Sequence, residues 1–291
     1  MHKGIVLYWR NQCIPLHKIG HGNQKGNRQR NCSFAMPIST IPMKSHYYLC
    51  FLLFVIPLLS CEEEAQLILE PVQYNNAGCA NCPSVSLSYP KALEDTKLGR
   101  AINTSIKEEI IGLLTFADSL DVTNLDEAVA SFTSGYRELK EVYPDETVAW
   151  EATIDATISY ENSKVLSVKI DSYLFTGGAH GYTATQFLNF DKDKGEEIDT
   201  QAFFEDLTAF KSFAEARFRK QEKIPETESI NSTGFMFEQD SFYLPENIGL
   251  TPKGILLLYN QYEVASYADG QIEVLIPYQD AKKFVAPNIK L

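Results

Sequence analysis

His180 is the one histidine after Cys61, since His2, His17, His21 and His46 all precede that cysteine. It stands in Gly177-Gly178-Ala179-His180-Gly181, where three glycines in five residues permit positive φ and a close approach of backbone to a ligand. A single His can act as general base, and with Asp171 upstream a small hydrolase centred on His180 is one reading. A partner-binding loop made of Gly177, Gly178, His180, Gly181 and Tyr182 is a second, and a structural turn without a ligand is a third. Zinc catalysis takes two or three His, and neither His-Glu-x-x-His nor another paired-His spacing occurs after Cys61. The Gly-x-Ser-x-Gly elbow, the phosphate loop and the dinucleotide fingerprint are also missing. The expectation is a protein that is no enzyme and holds neither cofactor nor metal.

Cysteine offers two further chemistries. Leu49 to Leu59 is an apolar run of signal-peptide length, too short to span a bilayer as an ordinary helix, and Met43-Lys44-Ser45-His46 gives it a basic start. Leu58-Leu59-Ser60-Cys61 then resembles a lipobox, which makes Cys61 the expected lipid attachment site. The expected organisation is an upstream extension over 1–42 before a misassigned start, a lipoprotein signal peptide over 43–60, and a lipidated tether over 61–84. Such a chain sits on a membrane through its N-terminal lipid. Glu62-Glu63-Glu64 resembles the acidic tract that sends Bacteroidetes lipoproteins to the outer face of the outer membrane; a solvated tether explains it equally, so periplasmic and cell-surface faces both stay open. With Cys61 lipidated, Cys79 and Cys82 remain as a pair for a small disulfide in an oxidising compartment. A redox role would need the pair at a helix start, whereas Pro83 and the strand-like Val85 to Tyr89 follow it.

Charge narrows the partners. Residues 1–60 hold seven basic and no acidic residues, which leaves 19 Lys and Arg against 38 Asp and Glu from Cys61 onward. That balance excludes nucleic acid, whose phosphates need a basic face, and suits a basic partner.

The elements that position these residues follow from periodicity. Apolar residues at steps of three and four from Leu98 to Ala117 predict an amphipathic helix, and Asn124 to Val142 a second one capped by Thr123 or Asn124. Period-two alternation predicts a strand over Val148 to Tyr160, and a second strand of mixed pattern over Val165 to Phe175 and a third over Tyr182 to Phe190 follow it. A helix over Asp206 to Gln221 and strands at Val85 to Tyr89 (ended by Pro90), Ser241 to Leu244, Asn247 to Leu250, Gly254 to Asn260 and Ile272 to Pro277 complete the set. The class is α+β, helices packed on antiparallel sheets, in two tightly associated subdomains over 85–175 and 176–291. Tyr243, Tyr259, Tyr262, Tyr267 and Tyr278 form an aromatic-rich tail that either stacks on sugar or protein surfaces or fills half-buried sheet positions.

Thr176-Gly177-Gly178-Ala179-His180-Gly181, Asn189-Phe190-Asp191, Leu250-Thr251-Pro252-Lys253-Gly254 and Tyr262-Glu263-Val264-Ala265-Ser266-Tyr267-Ala268-Asp269-Gly270 together resemble the RsiV-like family, the domain of unknown function 3298. The preceding helices and long strands look like the accessory domain named after the peptidoglycan deacetylase PdaC. The resemblance covers about 80–287 and implies an extracytoplasmic α+β binding module. In the best-understood member that module senses lysozyme by binding it, which implies lysozyme-like muramidase or peptidoglycan as ligand here. A lipobox in place of a transmembrane helix, and the absence of the deacetylase domain's His motif, restrict the carry-over to binding.

Overall fold

The computed structural model describes residues 67–76, 82–116, 122–145, 148–199, 201–287 and 289. The segments 1–42 and 43–60, Cys61 and Cys79 lie outside them. Residues 63–291 form one compact unit.

Its main sheet has six strands in sequence order: β1 (Leu69–Asn75), β2 (Ser84–Ala92), β3 (Glu151–Glu161), β4 (Val165–Phe175), β5 (Tyr182–Asp191) and the short β6 (Glu196–Glu197). Helices α1 (Lys97–Leu114) and α2 (Leu125–Val142) separate β2 from β3. Thr96 caps α1 by accepting from the Gly99 amide, and Asn124, rather than Thr123, caps α2 by accepting from Glu127. Thr123 instead donates its amide and hydroxyl to the Glu127 carboxylate, so the two side chains close the turn reciprocally. Ile102, Ile106, Ile110 and Leu114 of α1 and Phe132 and Tyr136 of α2 bury against Ile154, Val168, Leu188 and Phe190 of the sheet.

A second sheet, β7 (Asn247–Thr251), β8 (Gly254–Tyr259) and β9 (Ile272–Ile276), packs on the opposite face. Helix α3 (Leu207–Glu222), capped by Asp206, covers its outer side. β8 is buried on both faces: Ile255, Leu257 and Tyr259 meet Phe210 and Phe218 of α3, while Leu256 and Leu258 meet Phe187 of β5. The layers are thus helices, large sheet, small sheet, helix, which is the expected α+β class. A four-residue helix, α4 (Tyr278–Ala281), follows β9.

Five details differ from the sequence expectation. β2 and β3 run parallel, because α1 and α2 form the crossover that a parallel pair needs. β1 lies within the stretch expected to be tether; it is an edge strand whose Pro71 weakens its pattern. Pro90 does not end β2, because it faces Pro71, a pair that asks neither residue for an N–H, and lies beyond the part of β2 paired with β3. Ser241 to Leu244 is no strand. The 175/176 boundary falls between β4 and β5, which pair from Val165–Asp191 to Leu174–Tyr182, so a division there cuts the large sheet.

Candidate functional site

The β4–β5 connection brings Gly177, Gly178, His180, Gly181 and Tyr182 to one end of the large sheet. Gly177 and Gly178 adopt φ of 96° and 91°, a region strained for L side chains. Gly181 is needed for space instead, since a Cβ there would lie 2.4 Å from the Tyr173 ring. The loop therefore folds down onto β4 and turns His180 outward. The exposed His180 ring stacks on Tyr267 at 3.8 Å and 23°. Its Nδ1 lies 3.1 Å from the Gly181 carbonyl and its Nε2 3.5 Å from the Tyr262 hydroxyl. A proton on Nδ1 satisfies both contacts, with the hydroxyl donating to Nε2. Tyr267 donates to the same Gly181 carbonyl, at 3.1 Å.

The facing wall is the β8–β9 connection. Asn260 accepts from the Thr185 amide at 2.8 Å and donates to the Thr185 carbonyl at 3.0 Å, imitating a neighbouring strand, and Gln271 donates to both side chains. Tyr182 donates to the Gln261 carbonyl and the Thr183 amide to the Gln261 side chain, both at 3.4 Å. These bonds clamp the loop to the start of β5 and leave Tyr182 40% and Tyr262 55% exposed. Tyr262 is held at φ 68°, an uncommon conformation for an aromatic residue.

Next to Tyr262, half-buried Glu263 accepts from the Asn260 amide at 2.9 Å. Burial pushes its carboxyl up to about 7, with Glu246 adding to the shift and the Asn260 hydrogen bond opposing it. The folded state thus holds a proton that the unfolded state has released between the ordinary carboxylate range and neutrality, so this group's contribution to stability falls as pH rises through that window.

The arrangement is a stacking and hydrogen-bonding face. Asp171 does not orient His180: its carboxylate accepts from the Thr185 hydroxyl at 2.7 Å and lies 2.8 Å from the Lys169 ammonium. Among the described residues His180 touches no carboxylate, Ser hydroxyl or thiol, so the base and nucleophile that covalent hydrolysis requires are not brought together. Nor is any group of three or more His, Cys, Asp or Glu placed to hold a metal, again among the described residues. Within the same limits, no helix is long and apolar enough to cross a membrane. Cys82 is disulfide-bonded.

The tyrosines of the tail divide. Tyr259 is fully buried and donates to the Tyr243 carbonyl, while Tyr243 and Tyr278 are half-buried and donate to the carbonyls of Glu263 and Thr251. Only Tyr262 and Tyr267 reach His180. Sequence reasoning did not single out Glu263, Asn260 or Gln271, which hold the face together. Their signal was weak, since a polar loop between two strands rarely reveals which of its amides will replace a strand neighbour.

Residues 201–279 match a family model described as a protein of unknown function (DUF3298), and residues 78–183 match one described as deacetylase PdaC. No curated protein matches the chain. A DUF3298 family member from Bacteroides fragilis superposes with a TM-score of 0.61 at 21% identity, covering 76% of this chain and 94% of its own. A DUF3298 family protein from Pseudomonas aeruginosa superposes with a TM-score of 0.51 at 20% identity, covering 77% and 95% respectively. At these identities the likeness is one of fold. The first matched region ends two residues into β5, so both regions contribute to the layers around one large sheet.

Proposed function

We propose that this member of the DUF3298 family, which carries a PdaC-type region ahead of its family domain, is an envelope lipoprotein anchored through Cys61 whose compact unit binds a basic lysozyme-like muramidase. The observation that carries the reading is the face at the β4–β5 loop, where exposed Tyr182, Tyr262 and His180 stand on backbone that is clamped by the Asn260 and Gln271 hydrogen bonds. Rigid aromatic side chains are efficient anchors because little rotamer freedom is lost on contact. The excess of acidic residues after Cys61 supplies the steering field for a basic partner. Peptidoglycan is the second ligand, favoured by the outward ring of Tyr262, which suits stacking on sugars.

Calorimetric titration of residues 63–291 with lysozyme is expected to give micromolar or tighter binding at low salt that weakens as salt is raised. No heat at low salt removes the muramidase from the reading and leaves peptidoglycan fragments to be tested next. The anchor is tested separately: Cys61→Ser is expected to move the protein from the membrane fraction to the soluble one, since the lipid's methylenes supply the attachment. A variant that stays with the membrane overturns the lipid assignment.

A further inference from the structure

We infer that Glu263, on the face that exposes Tyr182 and its chain neighbour Tyr262, is the receptacle for an arginine side chain of the basic partner. The inference deepens the binding reading above and rests on it. Its foundation is a half-buried carboxylate that, among the described residues, holds one hydrogen-bond donor and no cation. A carboxylate offers about four acceptor positions, and Glu263 receives one donor, the Asn260 amide. Three phenols surround it, and each has already spent its proton on a backbone carbonyl: Tyr182 on Gln261, Tyr243 on Glu263 itself and Tyr259 on Tyr243. Among the described residues no lysine or arginine forms an ion pair with it.

The groups whose charge meets Glu263 are Glu246, Tyr182 on β5, Tyr243 ahead of β7 and Tyr259 on β8, and none of them is a cation. Burial raises the carboxyl with no cation near it to oppose the shift, and a cation from outside would reverse it. Arginine fits better than the alternatives. Its guanidinium is planar and weakly hydrated, stacks on aromatic faces and offers several donors to a carboxylate. A calcium ion needs six to eight oxygens, more than one carboxylate supplies. Tyr262, the chain neighbour of Glu263 held at φ 68°, is 55% exposed and provides a ring for such stacking on the same face.

Proton linkage gives the test. Binding of a cation must expel the proton from Glu263, so a capped hexaarginine peptide is expected to bind residues 63–291 about tenfold more weakly at pH 6 than at pH 8. Calorimetry at pH 7 in two buffers of different ionisation enthalpy is expected to show release of about half a proton. In Glu263→Gln, with circular dichroism unchanged, affinity at pH 8 is expected to fall about tenfold, about 1.4 kcal/mol, and the pH effect to vanish. Glu70→Gln, on edge strand β1, should bind as the parent does. Undiminished affinity in Glu263→Gln, or no proton release by the parent, overturns the inference. The readout in the parent stands even if the variant fails to fold. Lysozyme binding that ignores Glu263→Gln keeps the broader reading and removes the receptacle. Hexaarginine binding with these signatures but no lysozyme binding does the opposite.

Discussion

Trp150→Ala is expected to lower the stability of the 63–291 unit by about 3–5 kcal/mol, the usual loss for truncating a fully buried tryptophan. Trp150 is 2% exposed and sits where the end of α1, the middle of α2 and the start of β3 meet. Phe116 lies 4.4 Å from it, Phe132 5.3 Å and Tyr136 6.0 Å, ring centre to ring centre, so alanine would open a cavity bounded by three large rings. The Phe116 ring has little room to collapse inward, because it already rests on Gly135, where a Cβ would lie 2.7 Å from it. Trp150→Phe should cost much less. Among the described residues the buried indole N–H has no hydrogen-bond partner, a penalty of about 1–3 kcal/mol that phenylalanine removes together with part of the volume. Urea unfolding at unchanged slope is the measurement. A loss below about 1 kcal/mol for Trp150→Ala would mean that this corner relaxes freely, and that the aromatic cluster is not what fixes the helices on the sheet.

How well each element could be read from sequence tracks how one-sided its environment is. α1 and α2 bury one stripe each, so the steps of four from Ile102 through Ile106 and Ile110 to Leu114 made the first helix plain. β3 alternates cleanly through Ala152, Ile154 and Ala156, because the face opposite the helices is largely open to solvent there. β4 reads as mixed because its environment changes along its length. Val165 to Val168 are buried on both faces, where the small sheet covers the large one, while Lys169, Asp171 and Tyr173 lie beyond that cover. β1 escaped because four of its seven residues face water and Pro71 breaks the propensity. The glycine loop was legible as a cluster, yet three glycines in five residues look alike on paper: two answer to backbone angle and the third to the ring of Tyr173. That His180 meets Tyr262 and Tyr267, more than 80 positions away, depends on β8 and β9 folding back over β5. Nothing local in either segment encodes that long-range packing.

Asn189→Ala is expected to cost about 2–4 kcal/mol, a large effect for a polar side chain, because Asn189 joins the two sheets. It is 6% exposed, accepts from the Ser167 hydroxyl at 2.7 Å and donates to the Ile248 carbonyl at 2.7 Å. The Ser167 oxygen in turn receives the Leu250 amide at 3.3 Å. Ser167 and Asn189 are cross-strand partners on β4 and β5, and Ile248 and Leu250 alternate along β7. β7 pairs with β8 on one side only, so on its other side two side chains of the large sheet take the place of a missing strand. Alanine at 189 leaves the Ile248 carbonyl and the Ser167 hydroxyl buried with fewer partners, and leucine at 189 would do no better, since shape without a donor does not satisfy a carbonyl. Because the pair acts as one bridge, Ser167→Ala and the double variant should depart from additivity by about 0.5–3 kcal/mol in a mutant cycle read by urea unfolding. Strict additivity would mean that the two sheets are held by Phe187, Leu256 and Leu258 alone, with the polar pair merely tolerated between them.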